Sequence, residues 1–145
     1  MGLLQKRKMA EDKIGLEPKG FWEERQATKS YPQRLRKIAE KYQNGINTLT
    51  FQQTPDYVTT HPHMLFFAFS ENQEQRDKNL KFLRDSGIDA RLPYMPINIQ
   101  PCNPELEIFN SPNANDIFER SFTLPIYNNM TTDECDFVID FCNKL

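Results

Sequence analysis

Glycine is scarce in this chain, with 5 among 145 residues. Neither G-x-G-x-x-G nor G-x-x-x-x-G-K-[ST] occurs, so no glycine-rich turn is there to cradle nucleotide phosphates. Histidine is scarcer still, at 2. His61 and His63 stand one residue apart and are at most half of a metal site, because no third ligand accompanies them at a recognisable spacing. The simpler reading is that His63 opens a buried strand, and no metal is expected.

The 3 cysteines, Cys102, Cys135 and Cys142, are odd in number and form no C-x-x-C. Cys135 and Cys142 fall on one predicted helix, about 10 Å apart along its axis. That is too far for a disulfide, so a reduced, cytoplasmic protein is expected. Cys102 as a nucleophile would need a base close by, and no histidine lies downstream of it. Also missing is any apolar run approaching the roughly 20 residues of a membrane span. Lys6, Arg7 and Lys8 interrupt the N-terminus too early for a secretory signal. Lys6 also stands where a myristoylation signal needs Ser or Thr.

What is present suits one soluble globular domain with an aromatic-rich core, given 38% hydrophobic and 26% charged residues and 11 Phe. The formal charge of −2 hides a segregation. Residues 1–41 hold 11 Lys and Arg against 6 acids, a net of +5, and the remainder holds 7 against 14, a net of −7. A basic first third suits nucleic acid or an acidic partner. Interleaved Glu23, Glu24 and Glu40, and the lack of an aromatic-basic platform, favour a solvated helix face instead. Neither nucleic acid nor membrane is expected as a partner.

Along the chain, residues 1–20 read as a poorly ordered lead-in and 21–145 as the folded domain. Leu35, Ile38, Ala39 and Tyr42 follow i, i+3, i+4, i+7 spacing, with Pro32 at the helix start and Asn44-Gly45 at its stop. Phe21 and Trp22 belong to an earlier helical stretch that Pro32 kinks or ends. Residues 46–60 read as a strand end and loop. His63 to Phe69 is a short apolar run that predicts the central strand. A helix from about Asn72 to Ser86 then stops at Gly87, and Ile88 to Tyr94 returns as a strand. Ser111-Pro112 opens a short helix ending near Arg120. Phe122 to Tyr127 is extended, with Pro125 implying an edge or a strand end. Thr131 and Glu134 form a capping box before a last helix whose inner face is Val138, Phe141, Cys142 and Leu145. The pattern predicts an α+β fold, a small antiparallel sheet with helices on one face.

Between the strand after Gly87 and the short helix lies a loop holding Pro93, Pro96 and Pro101, stiffened by three fixed backbone dihedrals. It displays Arg91, Tyr94, Asn98 and Gln100, the kind of groups that binding loops carry. The plainer reading is a well-ordered connection, with Arg91 in a surface pair with Asp89 or Asp85. Glu105 and Glu107 share a side if extended, but have no acid/base partner and suit a solvated loop. No catalytic set emerges from the residues themselves.

Gly87-Ile88, then Arg91, then Tyr94-Met95-Pro96, followed by Leu124-Pro125 and Thr131 through Glu134, resembles the C-terminal small domain of the DegT/StrS family of PLP-dependent sugar aminotransferases. The helix of Arg34 to Tyr42 is similar to the one linking that family's two domains. The resemblance covers about residues 20–145 and is nearest in flavour to perosamine-synthase-like 4-aminotransferases of nucleotide sugars. It implies the small-domain fold of fold-type I aminotransferases. In the family a large domain supplies the Schiff-base lysine, the carboxylate for the pyridine nitrogen and the phosphate cup. None of these is in this chain, so PLP bound by the chain alone and catalytic residues are not expected. The resemblance implies a large-domain partner or a homo-oligomer, and a nucleotide sugar. It assigns Arg91 to a phosphate or carboxylate and Tyr94 to the sugar or the cleft wall. Asn98 stands where many members have His. The alternative is a free-standing, non-catalytic interaction module derived from that domain. An exposed apolar patch around Phe21 and Trp22 is expected as the docking face, and Met1-Gly2 with its basic segment reads as a genuine start.

Overall fold

The computed structural model describes residues 21–58, 61–102, 104–105 and 111–145, with side chains from residue 33 onward. The expected lead-in over 1–20 and the patch around Phe21 and Trp22 lie outside the described residues and side chains. The chain divides into two compact units, Met1–Tyr31 and Pro32–Leu145, and the second is described here by itself.

In order, the elements are α1 (Phe21–Gly45), β1 (Thr50–Phe51), β2 (Phe66–Phe69), α2 (Gln73–Asp85), α3 (Pro112–Arg120), β3 (Ser121–Leu124) and α4 (Thr132–Cys142). A 3-10 turn, Ile97–Ile99, lies between α2 and α3. The sheet is antiparallel in the order β1-β2-β3, with Thr50 opposite Phe69 and Phe66 opposite Leu124. Because strand side chains alternate, Phe66, Ala68, Phe122 and Leu124 share one face. That face meets Ala39 and Tyr42 from α1, Leu80 and Leu83 from α2, and Cys135, Val138 and Cys142 from α4 in one buried cluster. The fold is therefore the expected α+β arrangement.

Local chemistry explains the boundaries. The Asn72 side chain accepts from the Gln75 backbone N–H at 2.9 Å and starts α2. Gly87 then takes φ +83°, the left-handed conformation that ends helices. Pro112 opens α3, where its missing N–H costs nothing. At α4 the Thr131 hydroxyl accepts from the Glu134 N–H at 3.2 Å while Glu134 Oε2 accepts from the Thr131 N–H at 2.7 Å, the expected capping box. Cys135 and Cys142 are buried free thiols on this helix.

Three boundaries differ from the sequence reading. The helix neither starts nor ends at Pro32 but runs through it, because one proline removes only one N–H from a long helix of good formers. The strand expected from His63 begins at Phe66. His63 has φ +48° and its N–H donates to His61 Nδ1 at 3.1 Å, so a turn precedes the strand. The strand expected over Ile88 to Tyr94 shrinks to one bridge, Arg91 to Thr123, with N–H···O bonds of 3.1 and 2.8 Å. Pro93 has no N–H with which to extend the ladder. Likewise β3 stops at Leu124, one residue before Pro125.

Candidate functional site

The loop that follows α2 starts from a fixed point. Both backbone groups of Arg91 are spent on Thr123, so the loop leaves the edge of β3 at a set place. The Arg91 side chain faces solvent and clasps Asp89, Nε to Oδ1 at 2.8 Å and Nη2 to Oδ2 at 2.7 Å. This two-point clasp holds the Asp89 carboxyl below the usual range. Of the two acids named as surface partners for Arg91, Asp89 is the one engaged; Asp85 pairs with Lys81.

Tyr94 is 88% exposed and stands clear of the surface. Asn98 is 6% exposed and points the other way, its Nδ2 donating to Asn115 Oδ1 on α3 at 3.2 Å. Gln100 Nε2 closes the turn on the Met95 carbonyl at 3.0 Å. The three residues expected at a site thus sit in one stiff loop, with Arg91 and Tyr94 turned outward and Asn98 tying the loop to α3. The buried Asn98 amide thus finds its partner in a neighbouring amide.

Beside this loop lies an open groove of about 750 Å³ lined by Arg84, Ile88, Asp89, Arg91 and Leu92. Arg84 completes it, with its Nε on the Ala90 carbonyl at 2.8 Å. Two guanidiniums and one carboxylate leave the groove with a net positive charge. Arg84 was not foreseen as part of the site, although its place in the last turn before Gly87 aims it back at the loop.

The other candidates remain apart. The imidazoles of His61 and His63 lie 4.3 Å apart, yet among the described residues no three ligating side chains converge. Burial, then His61, pulls the His63 pKa below its ordinary value. Cys102 is exposed, its thiol 3.8 Å from Gln100 Oε1. Glu105 is exposed as a solvated loop requires, and Glu107 lies outside the described residues. No described helix is long and apolar enough to cross a membrane.

The family model of the DegT/DnrJ/EryC1/StrS aminotransferases matches residues 25–143. The chain belongs to that family. Its backbone resembles the putative sugar aminotransferase Spr1654 from Streptococcus pneumoniae in its PMP form, with TM-score 0.71 and 23% identity over 79% of this chain and 31% of that one. It also resembles the aminotransferase TlmJ from Streptoalloteichus hindustanus, with TM-score 0.69 and 21% identity over 79% and 31%. DesV of S. venezuelae, in complex with a ketimine intermediate, gives TM-score 0.69 and 21% identity over 80% and 32%. At these identities the likeness is one of fold. The chain spans about a third of the length of these neighbours.

PLP needs a lysine for the Schiff base and a carboxylate facing the pyridine nitrogen. Among the described lysines, Lys41 pairs with Asp136, Lys78 with Glu74 and Lys81 with Asp85. Lys144 lies over the Phe141 ring and Lys37 is exposed on α1. None of them lines the groove beside Arg91, the groove of Ile88, Pro125 and Phe137, or the groove of Phe69 and Arg120. The described residues do not fit the cofactor.

Proposed function

We propose that this chain acts as the small domain of a nucleotide-sugar aminotransferase, inactive alone and completing a sugar-binding cleft with a large domain on a partner chain. The observation that carries this reading is the match to about a third of sugar aminotransferases, joined to described lysines that are all engaged or exposed away from the grooves. Arg91 then meets the diphosphate of the nucleotide sugar, with Arg84 adding charge, and Tyr94 lines the cleft. The bidentate fork of Arg91 suits a phosphate as well as it suits Asp89. Asn98 takes the part of a positioning residue that fixes the loop. PLP stays with the large domain, and the work of the small domain in the cytoplasm is orientation and exclusion of water.

A second reading, a non-catalytic interaction module of the same descent, draws on one observation. Arg91 is already satisfied by Asp89.

The test is to treat the purified chain with PLP and borohydride, then assay it with glutamate and a 4-keto sugar nucleotide. No lysine-specific adduct and no turnover are expected from the chain alone. Turnover should appear when a family member whose own small domain is disabled is added, and Arg91→Ala should then raise KM. A stoichiometric adduct on the isolated chain would sink the proposal. Absence of complementation would favour the module.

A further inference from the structure

On the side formed by α2 and α4, three phenylalanines make a ladder. Phe137 and Phe141 have ring centroids 4.6 Å apart, and Phe82 lies 6.2 Å from Phe141. Phe137 is 45% exposed and Phe82 38%, and Phe141 is half-buried, whereas Cys135, Val138, Ile139 and Cys142 of α4 are buried. Beyond Phe137 the apolar surface continues into a groove of about 480 Å³ floored by Ile88, Pro125, Met130 and Val138. That volume is of the size that receives a few apolar side chains.

The rim is acidic. Asp133 and Glu134 line the groove, and α4 adds Asp136 and Asp140 with no basic residue of its own. Asp136 is matched by Lys41 and Asp89 by Arg91. Asp133 and Asp140 are in no ion pair among the described residues, and they flank Phe137 at helical spacings of four and three, on the same outward face. The surface already holds a cation, since Lys144 Nζ sits 3.9 Å from the centroid of Phe141.

From this combination we infer that the face of Phe137 and its groove is a docking site for a basic amphipathic helix of a partner protein. Apolar residues of the helix at i, i+3 or i+4 and i+7 would enter the groove and lie along the ladder. Flanking Lys or Arg would meet Asp133 and Asp140, the helix-in-groove mode of recognition. The groove adjoins the one beside Arg91 and shares Gly87, Ile88 and Asp89 with it, but its far rim is acidic where that one carries Arg84 and Arg91, so it suits a basic ligand and not a diphosphate. The inference does not rest on the aminotransferase reading.

The probe is a fluorescein-labelled synthetic helix with leucines on one face flanked by lysines, compared with the same peptide bearing glutamates for the lysines. Anisotropy on the full chain should show the lysine peptide binding about tenfold or more tightly, and weakening as salt rises from roughly 50 to 300 mM. Amide shift changes should centre on Ile88, Met130, Phe137 and Val138. Phe137→Glu, at a half-exposed position, should abolish binding with an unchanged circular dichroism spectrum. The double variant Asp133→Lys with Asp140→Lys, which touches no core residue, should reverse the preference between peptides. Equal binding of both peptides, shifts centred elsewhere, or no binding of the lysine peptide would overturn the inference. So would self-association of the chain that Phe137→Glu abolishes, because the occupant would then be a second copy.

Discussion

The hydroxyl of Tyr42 donates to the carbonyl of Pro125 at 2.8 Å, with the Met130 sulfur 3.4 Å away, and so bolts α1 to the turn between β3 and α4. The ring is fully buried and packs 5.2 Å from Phe66. Burial also drives the phenol's pKa far above its ordinary value, so the group stays a donor at every working pH. Tyr42→Phe leaves the Pro125 carbonyl without that donor while keeping the ring. A loss of about 1–2 kcal/mol is expected in urea unfolding, with the slope unchanged. An undiminished midpoint would show that water or another donor replaces the hydroxyl.

Gly87 turns the chain from α2 toward Arg91 at φ +83°. A Cβ there meets nothing within 4 Å, so the cost of Gly87→Ala is conformational and not steric. It should lie near 1–2 kcal/mol. The Arg91–Thr123 bridge follows directly, and amide exchange at Arg91 and Thr123 is expected to accelerate. Gly87→Asn, which tolerates the left-handed region, should recover part of the loss.

Loss of the Thr131 hydroxyl exposes the first turn of α4. Thr131→Ala is expected to cost about 1 kcal/mol by thermal or urea unfolding. Glu134 contributes through the same box, and its carboxyl titrates below the usual range chiefly because it accepts from the Thr131 N–H. That support is complete above the ordinary glutamate pKa and fades as pH falls through the lowered one. The Thr131 hydroxyl also donates to Glu134 Oε2 at 3.0 Å, and because alanine loses this bond but keeps the N–H, Thr131→Ala should have its largest effect near neutral pH and a smaller one in acid.

How far the fold could be read in advance depended on where its signals were local. Asn72, Gly87, Pro112 and the Thr131–Glu134 box act within one turn, and each marked its helix end correctly. The buried stripe of Leu35, Ala39 and Tyr42 obeyed helical spacing for the same reason. The strands were overestimated because pairing is not local. His63 is apolar in company but held out by its own turn, and the Ile88–Tyr94 segment has strand-like residues whose ladder Pro93 cuts short. At the candidate site the residue types were legible while their directions were not. Nothing in the loop sequence says that Asn98 turns inward to Asn115 or that Arg84 reaches across from α2. The family resemblance, resting on motif order, held over residues 25–143.

His63 sets an expectation for pH. Its pKa is lowered first by burial, then by His61 and Arg36, with Glu40 acting in the opposite direction. A lowered folded pKa means that the unfolded chain takes up the proton first, so this contribution is complete above about pH 6.5 and is lost as pH falls through the folded value. The melting temperature should fall between pH 7.5 and about 5, and His63→Asn, which keeps the left-handed turn without the charge, should flatten that slope. An unchanged slope would place the acid sensitivity elsewhere.

The clasp between Arg91 and Asp89 separates stability from binding. Arg91 bridges Thr123 through its backbone, and its side chain is solvated, so Arg91→Ala should leave the melting temperature where it is. Asp89→Asn removes the carboxylate that occupies the guanidinium and also one negative charge beside Arg84. If this groove receives a diphosphate, Asp89→Asn should tighten the binding of inorganic pyrophosphate severalfold, and Arg91→Ala should weaken it below detection. Calorimetry on the three proteins decides the matter. Equal affinities across the set would mean that the pair with Asp89 is the whole of Arg91's role.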